Sequence, residues 1–344
     1  MYLRNSWYIA SWSRDLADTP IGIRMLERPL VLFRDSAGEA VLLDGRCPHR
    51  FAPLSRGVVQ GDTLMCPYHG LVFDRAGTCI HNPHGSGMIP PGAKLRRYPV
   101  VEKNGAIWAW MGEADAADPS QISDIDWLCS PDYACITGHI KVQANYQLVV
   151  DNLLDLTHAP FLHQDTVGGR PEDSIGARMT HDFRTDPDKT IHSDYCVDPM
   201  PRPTPQMRPL WGERPSIFRS NMTWRPACRL ELDISLAEPG ANEPSLHLPS
   251  LHYLVPETDR STHYFFAMGR DVMIDDEEQT RIMAEFARRA FEDEDEPMIR
   301  AVQDLMGTSD LMSLRPAILE TDKAAVQARR VLALLIRQEE TVPA

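Results

Sequence analysis

Two short stretches near the start of the chain each pair a cysteine with a histidine. Cys47 and His49 flank a single proline, Cys66 and His69 flank a Pro-Tyr pair, and 16 residues separate His49 from Cys66. A zinc finger usually keeps its cysteines together and its histidines together. The mixed pairs instead suit a [2Fe–2S] cluster with both sulfurs on one iron and both imidazoles on the other. A structural zinc site, or four unrelated residues, would be the alternatives.

A second candidate metal site lies in the apolar run from Asn152 to His163. Asp155 and His158 are three residues apart, which places them on one face of a helix. Pro160 has no N–H to donate, so we expect the helix to kink or end between the two histidines. His163 can then turn back towards His158 and share a metal with it. Two core histidines near a helix end would show the same pattern, so both interpretations stay open at this point.

The acidic stretch 292–296 is the candidate source of a third metal ligand. It lies inside a helix that we expect from about 275 to 306. Five consecutive acids are most often a solvated face. Glu294 and Asp295 nevertheless fall on either side of the centre of an apolar stripe, where an unpaired carboxylate is costly and a metal would remove that cost. The stripe is predicted from the helical spacing of Met283, Ala287, Phe291, Met298, Val302 and Leu305.

The two candidate sites fit one another chemically. Two histidines and one carboxylate on one face leave positions open for O₂, the pattern of non-heme Fe(II) oxygenases. Dioxygen activation needs electrons delivered singly, and an iron–sulfur cluster supplies them. A pure electron carrier would need only the first site, so the long remainder of the chain favours an enzyme.

The elements that must position these sites suggest two domains. Residues 1–113 read as short strands joined by polar turns that end in glycine, which predicts a small all-β, hairpin-built domain. Residues 114–124 are acidic and small, as in a linker. In residues 125–344, strand-like runs with few helices between them predict an antiparallel sheet covered by helices, giving an α+β fold overall. The proline-rich stretch 198–215 is expected to be irregular and to lie over a pocket.

Composition excludes some functions. The chain has 344 residues and a net charge of −14, without the clustered Lys and Arg that nucleic acid requires. The N-terminus lacks a signal pattern and no apolar run is long enough for a membrane span, so we expect a cytoplasmic protein. The 7 cysteines are spread through the chain and are expected to be ligands or core residues rather than bridges.

At these residues the sequence resembles the Rieske non-heme iron oxygenases along essentially its whole length, and most closely their branch of vanillate and dicamba O-demethylases. The cluster ligands of the family match Cys47, His49, Cys66 and His69, and its iron motif matches 152–158 with His163. Counting back from Arg-Pro-Ala-Ile-Leu at 315–319, the family's carboxylate ligand falls on Asp295 rather than Glu294. Further matching stretches are residues 4–8, 47–54, 66–70 and 151–155.

This resemblance implies a small all-β Rieske [2Fe–2S] domain, a catalytic domain with mononuclear Fe(II), and a homotrimer. It also implies an NADH-dependent partner, either a flavin/[2Fe–2S] reductase or a ferredoxin. Asp155 is expected to bridge His158 to His69 of a neighbouring subunit and so to carry electrons between the sites. Asn152 is expected in a supporting role.

The substrate pocket is expected to be aromatic and apolar, which suits an aromatic ring. His252 could donate a hydrogen bond to a carboxylate or phenol, although such residues are often simply core. The resemblance implies a terminal oxygenase acting on an aromatic substrate, by O-demethylation of a methoxy-aromatic acid. A ring cis-dihydroxylating dioxygenase, or a monooxygenase of a methyl or ring carbon, is the alternative. The candidate pocket residues are Trp211, Phe218, Leu232, His252 and Phe265.

Overall fold

The computed structural model describes residues 1–227 and 229–341. The chain divides into two compact units, Met1–Asp124 and a second that begins at Ile125. The stretch expected as a linker, 114–124, belongs to the first unit. The carbonyl of Asp118 accepts a hydrogen bond from Trp7 Nε1 (2.9 Å), and Ile122 is buried. The overall class is α+β, as the sequence predicted.

The first unit is built from antiparallel hairpins. Gly38, Gly77 and Gly105 have φ between 71° and 82°, as expected for turn glycines. The fully described residues 1–124 form three sheets, ordered β1-β11-β10, β2-β3-β4-β9 and β5-β6-β7-β8. Their strands are β1 Trp7–Trp12, β2 Ile21–Met25, β3 Arg28–Arg34, β4 Ala40–Asp44, β5 Val58–Gln60, β6 Thr63–Met65, β7 Val72–Asp74, β8 Cys79–His81, β9 Arg97–Tyr98, β10 Val100–Lys103 and β11 Ala106–Trp110.

The second unit contains one antiparallel sheet with helices packed on it. In the described part of the chain its strand order is β12-β18-β17-β16-β15-β14-β13. Long neighbouring strands with alternating side chains give it one face towards the helices. The strands are β12 Ala134–Val142, β13 Met179–Thr185, β14 Ile191–Met200, β15 Ser216–Arg225, β16 Arg229–Ala237, β17 Leu246–Thr258 and β18 Ser261–Arg270.

Helices of the second unit flank this sheet. The proline-rich stretch is less irregular than predicted. Strand β14 runs on to Met200, and helix α4, Arg208–Trp211, has a proline in its first turn, where the missing N–H costs nothing. No helix among the described residues is long and apolar enough to cross a bilayer. The helices are α1 Asp126–Cys129, α2 Tyr146–Leu154, α3 Ala159–Leu162, α4 Arg208–Trp211, α5 Glu277–Arg288, α6 Glu296–Met306 and α7 Lys323–Thr341.

A π-helical turn, Arg289–Asp295, joins α5 to α6 and corrects the predicted apolar stripe. A π turn holds more residues than an α turn, so it shifts the buried face of everything that follows. Asp295, Ile299 and Gln303 are therefore buried at spacings of four. The expected stripe was wrong beyond Phe291. The three stripe residues that are exposed instead are Met298 (51%), Val302 (40%) and Leu305 (90%).

Candidate metal centres

Two loops with matching backbone hydrogen bonds carry the Cys/His pairs of the first unit. The amide of Cys47 donates to the carbonyl five residues on, and its carbonyl accepts from the amide of Phe51 (2.9 and 2.8 Å). Cys66 makes the same two bonds, with Gly70 in the place of Phe51 (2.8 and 3.1 Å). Phe51 and Gly70 both take left-handed φ, 57° and 69°. Each loop thus folds locally into the same cradle.

The four side chains converge with a donor set that fits a [2Fe–2S] cluster. The imidazole rings of His49 and His69 lie 4.5 Å apart between centroids. Cys47 and Cys66 are buried in the apolar core beneath the loops. Burial raises the pKa of the Cys47 thiol to about 11, so a thiolate there needs a cationic partner, which iron supplies. The exposed His49, the half-buried His69 and the two buried cysteines match the division of ligands between two irons.

His84, for which the sequence predicted only a polar loop near the Cys/His pairs, lies next to the candidate ligand His69. Its Nε2 lies 2.8 Å from the carbonyl oxygen of His69, and its ring is 6.1 Å from the ring of His69. The sequence places it in a polar loop, and no spacing rule connects it to the ligands. The contact fixes the backbone of the second cradle.

The second site brings together residues separated by more than a hundred positions. His158, His163 and Asp295 each offer a ligand atom within 4.8 Å of the others, and no other such group of three or more His, Cys, Asp or Glu residues exists among the described residues. Asp295 Oδ1 lies 3.2 Å from His163 Nε2 and 3.6 Å from His158 Nε2. Two imidazole nitrogens and one carboxylate oxygen on one side fit mononuclear Fe(II).

The helix that leads to the histidines ends earlier than expected. α2 stops at Leu154, and Pro160 lies in the first turn of α3, where proline is tolerated, rather than breaking a helix. Asp155 is extended, and its side chain caps the next turn by accepting from the amide and hydroxyl of Thr157 (3.0 and 2.6 Å). The expected bond from His158 to the Asp155 carboxylate is absent in the described structure. His158 Nδ1 donates instead to the backbone carbonyl of Asp155 (2.6 Å).

The Asp155 carboxylate is held by residues from distant elements as well. The hydroxyl of Tyr195 on β14 lies 3.5 Å from Oδ1, and the hydroxyl of Thr321 lies 2.9 Å from Oδ2. Burial, followed by the charge of Asp155, raises the pKa of Tyr195, which therefore stays a neutral donor. The carboxylate is thereby fixed in orientation within its own chain.

His163 is enclosed by two consecutive carboxylates. Its Nδ1 lies 2.7 Å from Glu294 Oε2, while its Nε2 faces Asp295. Burial lowers the pKa of His163, but the hydrogen bonds and charges of Asp295 and Glu294 outweigh it, so the net shift is upward. The sequence favoured Asp295 over Glu294 as the ligand, and the structure places Glu294 on the far side of His163. The sequence signal for the contact between His163 and Glu294 was the position of Glu294 beside Asp295, near the predicted apolar stripe.

Asn152 lies among the ligand atoms, on α2. Its amide nitrogen donates to Asp295 Oδ1 (3.0 Å) and lies 3.4 Å from His158 Nε2. Its position two residues before the end of α2 brings it to the same side as His158. It is therefore placed to orient the Asp295 carboxylate.

The candidate pocket residues divide between the two faces of the sheet. His252 pairs across strands with Phe266 and Leu230, so these three share a face, and the ring of His252 packs 5.8 Å from that of Phe291, one turn before Asp295. Leu232 pairs with Ser250 on the same face. Phe265 points to the opposite face, where it stacks on His139 at 4.3 Å. Its assignment to the pocket was wrong, because successive strand residues alternate.

Trp211 and Phe218 lie on the helix-facing side, further from the metal residues along the sheet. Phe218 pairs with Leu236 on β16, and Trp211 is buried against Leu236 and Leu248. Among described side chains, the indole Nε1 of Trp211 has no hydrogen-bond partner. These residues form a satellite apolar cluster at one end of the site face.

His252 is fully buried and has protein partners on both ring nitrogens. Nδ1 lies 2.7 Å from the hydroxyl of Tyr264 and Nε2 lies 3.0 Å from that of Ser250. Burial lowers the pKa of His252 to about 4, so its imidazole is neutral near pH 7. Tyr264 and Ser250 were missed by the sequence reading, although their strand positions relative to His252 follow from alternation once the sheet register is known.

Comparisons with known proteins agree with this arrangement of two sites. Residues 6–99 match the family model of the Rieske [2Fe–2S] domain, and residues 142–338 match that of the vanillate O-demethylase oxygenase C-terminal domain. The dicamba O-demethylase oxygenase component of Stenotrophomonas maltophilia is 35% identical over 98% of this chain and 99% of its own length. The chloroacetanilide N-alkylformylase oxygenase component of Rhizorhabdus wittichii is 34% identical over 98% of this chain and 97% of its own.

A vanillate O-demethylase oxygenase subunit from Pseudomonas sp. strain HR199 is 27% identical over 99% of this chain and 96% of its own length. Among solved structures, dicamba monooxygenase bound to dicamba superposes with a TM-score of 0.90 at 34% identity, covering 99% of both chains. The likeness extends over both units.

Proposed function

This chain belongs to the Rieske non-heme iron oxygenases, and on that premise we propose that it removes a methyl group from a methoxy-aromatic acid. It is the terminal oxygenase component of a Rieske monooxygenase, with a [2Fe–2S] cluster and a mononuclear iron. When bound, these groups supply single electrons and activate dioxygen. Hydroxylation of the methyl carbon gives a hemiacetal, which separates into a phenol and formaldehyde, while the second oxygen atom leaves as water.

The observation that carries the proposal is the His158–His163–Asp295 group lying beneath an aromatic face. Phe266 and Phe291 pack at 5.0 Å between ring centroids, next to His252. This apolar surface suits a planar ring, and its position one helical turn from Asp295 would hold a ring substituent close to the iron. The relatives that match over the whole chain include an O-demethylase of dicamba and one of vanillate.

His252 is the residue we assign to the acid group of the substrate. As a neutral imidazole with its proton on Nε2, it would donate one hydrogen bond to a carboxylate, while Nδ1 accepts from the hydroxyl of Tyr264. To do so, its Nε2 must exchange Ser250 for the substrate. Leu232, Phe218 and Trp211 would form the apolar wall along the same sheet face.

Electrons would come from a separate NADH-dependent flavin/[2Fe–2S] reductase or a ferredoxin, and the enzyme would be a cytoplasmic homotrimer. In that assembly Asp155 would connect His158 to His69 of the neighbouring subunit. Support comes from the orientation of Asp155, whose carbonyl already holds His158 and whose carboxylate is fixed by Thr157, Tyr195 and Thr321. A fixed carboxylate can accept one further donor without reorganising.

The test is a single turnover of chemically reduced protein with a panel of methoxybenzoates, which needs no partner reductase. We expect one or more members to yield equal amounts of a hydroxybenzoate and formaldehyde. Benzoates without a methoxy group serve as the control and should release no formaldehyde. A ring diol as the sole product across the panel would refute O-demethylation and move the enzyme to the dihydroxylating class.

A further inference from the structure

The two histidines of the mononuclear site are oriented by different kinds of acceptor. His158 Nδ1 donates to a neutral group, the backbone carbonyl of Asp155, at 2.6 Å. His163 Nδ1 instead faces a carboxylate, Glu294 Oε2, at 2.7 Å. In both rings this leaves Nε2 directed at Asp295 and the metal position.

Glu294 is itself held in place. The hydroxyl of Thr166, a fully buried residue on the loop after His163, donates to the same Oε2 at 2.6 Å. The Glu294 side chain is only 19% exposed. Two donors on one oxygen fix the carboxylate, and the carboxylate in turn fixes the plane of the imidazole.

The π turn makes this arrangement possible. Glu294 and Asp295 are consecutive, and a π turn separates consecutive side chains by a smaller angle than an α turn because it holds more residues. Both carboxylates can therefore reach the same ring, one at each nitrogen. The neighbouring acids Glu292 and Asp293 point away, with side chains 55% and 49% exposed beside Arg288.

We propose that Glu294 is a positioning residue for the mononuclear iron, acting through His163. A carboxylate that accepts the Nδ1 proton fixes the tautomer in which Nε2 has its lone pair free for the metal, and it makes that nitrogen a stronger donor. His163 is then the stronger and more rigid of the two histidine ligands. The inference rests on the iron site of the proposed oxygenase, but it concerns metal binding rather than the reaction.

The experiment measures Fe(II) binding anaerobically by competition with a chelator, on full-length protein stripped of mononuclear iron but with its cluster intact. We expect Glu294→Ala to bind Fe(II) about 10–100-fold more weakly than the wild type. Glu294→Gln keeps an acceptor oxygen without the charge, so its affinity for Fe(II) should lie between those of the wild type and Glu294→Ala. Asp293→Ala, the exposed neighbour, is the matched control and should bind as the wild type does.

A second readout separates positioning from general damage to the fold. The EPR spectrum of the nitric oxide adduct of the mononuclear Fe(II) reports the symmetry of its ligands, and it should change in Glu294→Ala but not in Asp293→Ala. If Glu294→Gln binds Fe(II) within twofold of the wild type with an unchanged spectrum, and Glu294→Ala does the same or fails to fold, the proposal is overturned. Because no substrate is present, these results do not depend on O-demethylation.

Discussion

The two metal sites of this protein are assembled over very different distances along the chain. All four candidate cluster ligands lie between Cys47 and His69, on two loops that make the same backbone hydrogen bonds. The candidate mononuclear site joins His158 and His163 to Asp295. In the sequence, Asp295 follows all the strands of the second unit's sheet and helix α5. One site is a local property of two short loops, and the other is a property of the packed second unit.

This difference decides how each site responds to substitution. A change in the cluster loops acts on ligands whose geometry is set within a few residues, so the second unit should keep its own metal. A change in the second unit acts through packing, because α2, the π turn and the sheet must all be in place for the three ligands to meet.

The largest effect is expected from Asp295→Ala. It removes the only carboxylate of the ligand group, so mononuclear iron should fall to background and product formation should be lost. The cluster should be unaffected, because its ligands all precede residue 70. Iron analysis together with the visible spectrum checks both statements. Glu292→Ala on the same turn is the exposed control, and loss of the cluster in the Asp295 variant would show that the sites are not independent.

Asp155→Asn should have the next largest effect. The variant conserves shape but changes charge and donor pattern, so both metals and the assembly should be retained while product formation collapses. Single-turnover product yield and rate, on protein of checked iron content, measure this. Asp165→Asn is the control, since its side chain is 68% exposed on the segment after His163. Near-normal turnover by Asp155→Asn would leave Asp155 only its local role as the cap of Thr157.

A pair of substitutions in α6 tests the phase shift introduced by the π turn. Ile299 is buried and Met298 is 51% exposed. We expect Ile299→Ala to lower the free energy of unfolding by about 2–5 kcal/mol. Met298→Ala should change it by no more than about 0.5 kcal/mol. Chemical denaturation of both variants provides the comparison, and equal costs would mean that the buried face follows an uninterrupted α-helix.

Much of the fold and of the two candidate sites could be predicted from the sequence, and the wrong predictions have a common cause. Turn glycines, Cys/His spacing and strand alternation are local signals, and they predicted the hairpins, the cluster loops and the antiparallel sheet. The exposure of Met298 and Leu305 could not be predicted, because nothing local marks a π turn inside a helical pattern. Phe265 was misassigned because the choice between Phe265 and Phe266 depends on sheet register.

Asp155 is a case in which the sequence predicted the contacting residues but not the contacting atoms. Its spacing from His158 correctly suggested a contact between the two residues. The group that makes the contact is the backbone carbonyl rather than the carboxylate, because α2 ends at Leu154 and turns the Asp155 side chain towards Thr157. Sequence spacing predicted the pair of residues, whereas the atom depended on where the helix stopped.

The smallest predicted effect concerns pH and His252. Burial lowers its pKa from 6.5 to about 4. Between these values the unfolded chain takes up a proton that the folded protein does not, so stability falls as pH falls through this window. Over the whole window, the free energy of unfolding falls by about 3 kcal/mol. The midpoints of thermal unfolding measured near pH 7 and near pH 5 should differ less in His252→Gln than in the wild type. An identical pH dependence in the two proteins would contradict a buried neutral His252.

Metal and sulfide analysis of anaerobically purified protein, with EPR of the reduced cluster, tests most directly whether the chain holds both metal sites. We expect two cluster irons with two sulfides and one mononuclear iron per chain. We also expect His69→Cys to perturb or abolish the cluster spectrum while the mononuclear iron remains. Stoichiometric zinc with no visible absorbance would contradict the cluster. Loss of both iron sites in His69→Cys would contradict their separate assembly.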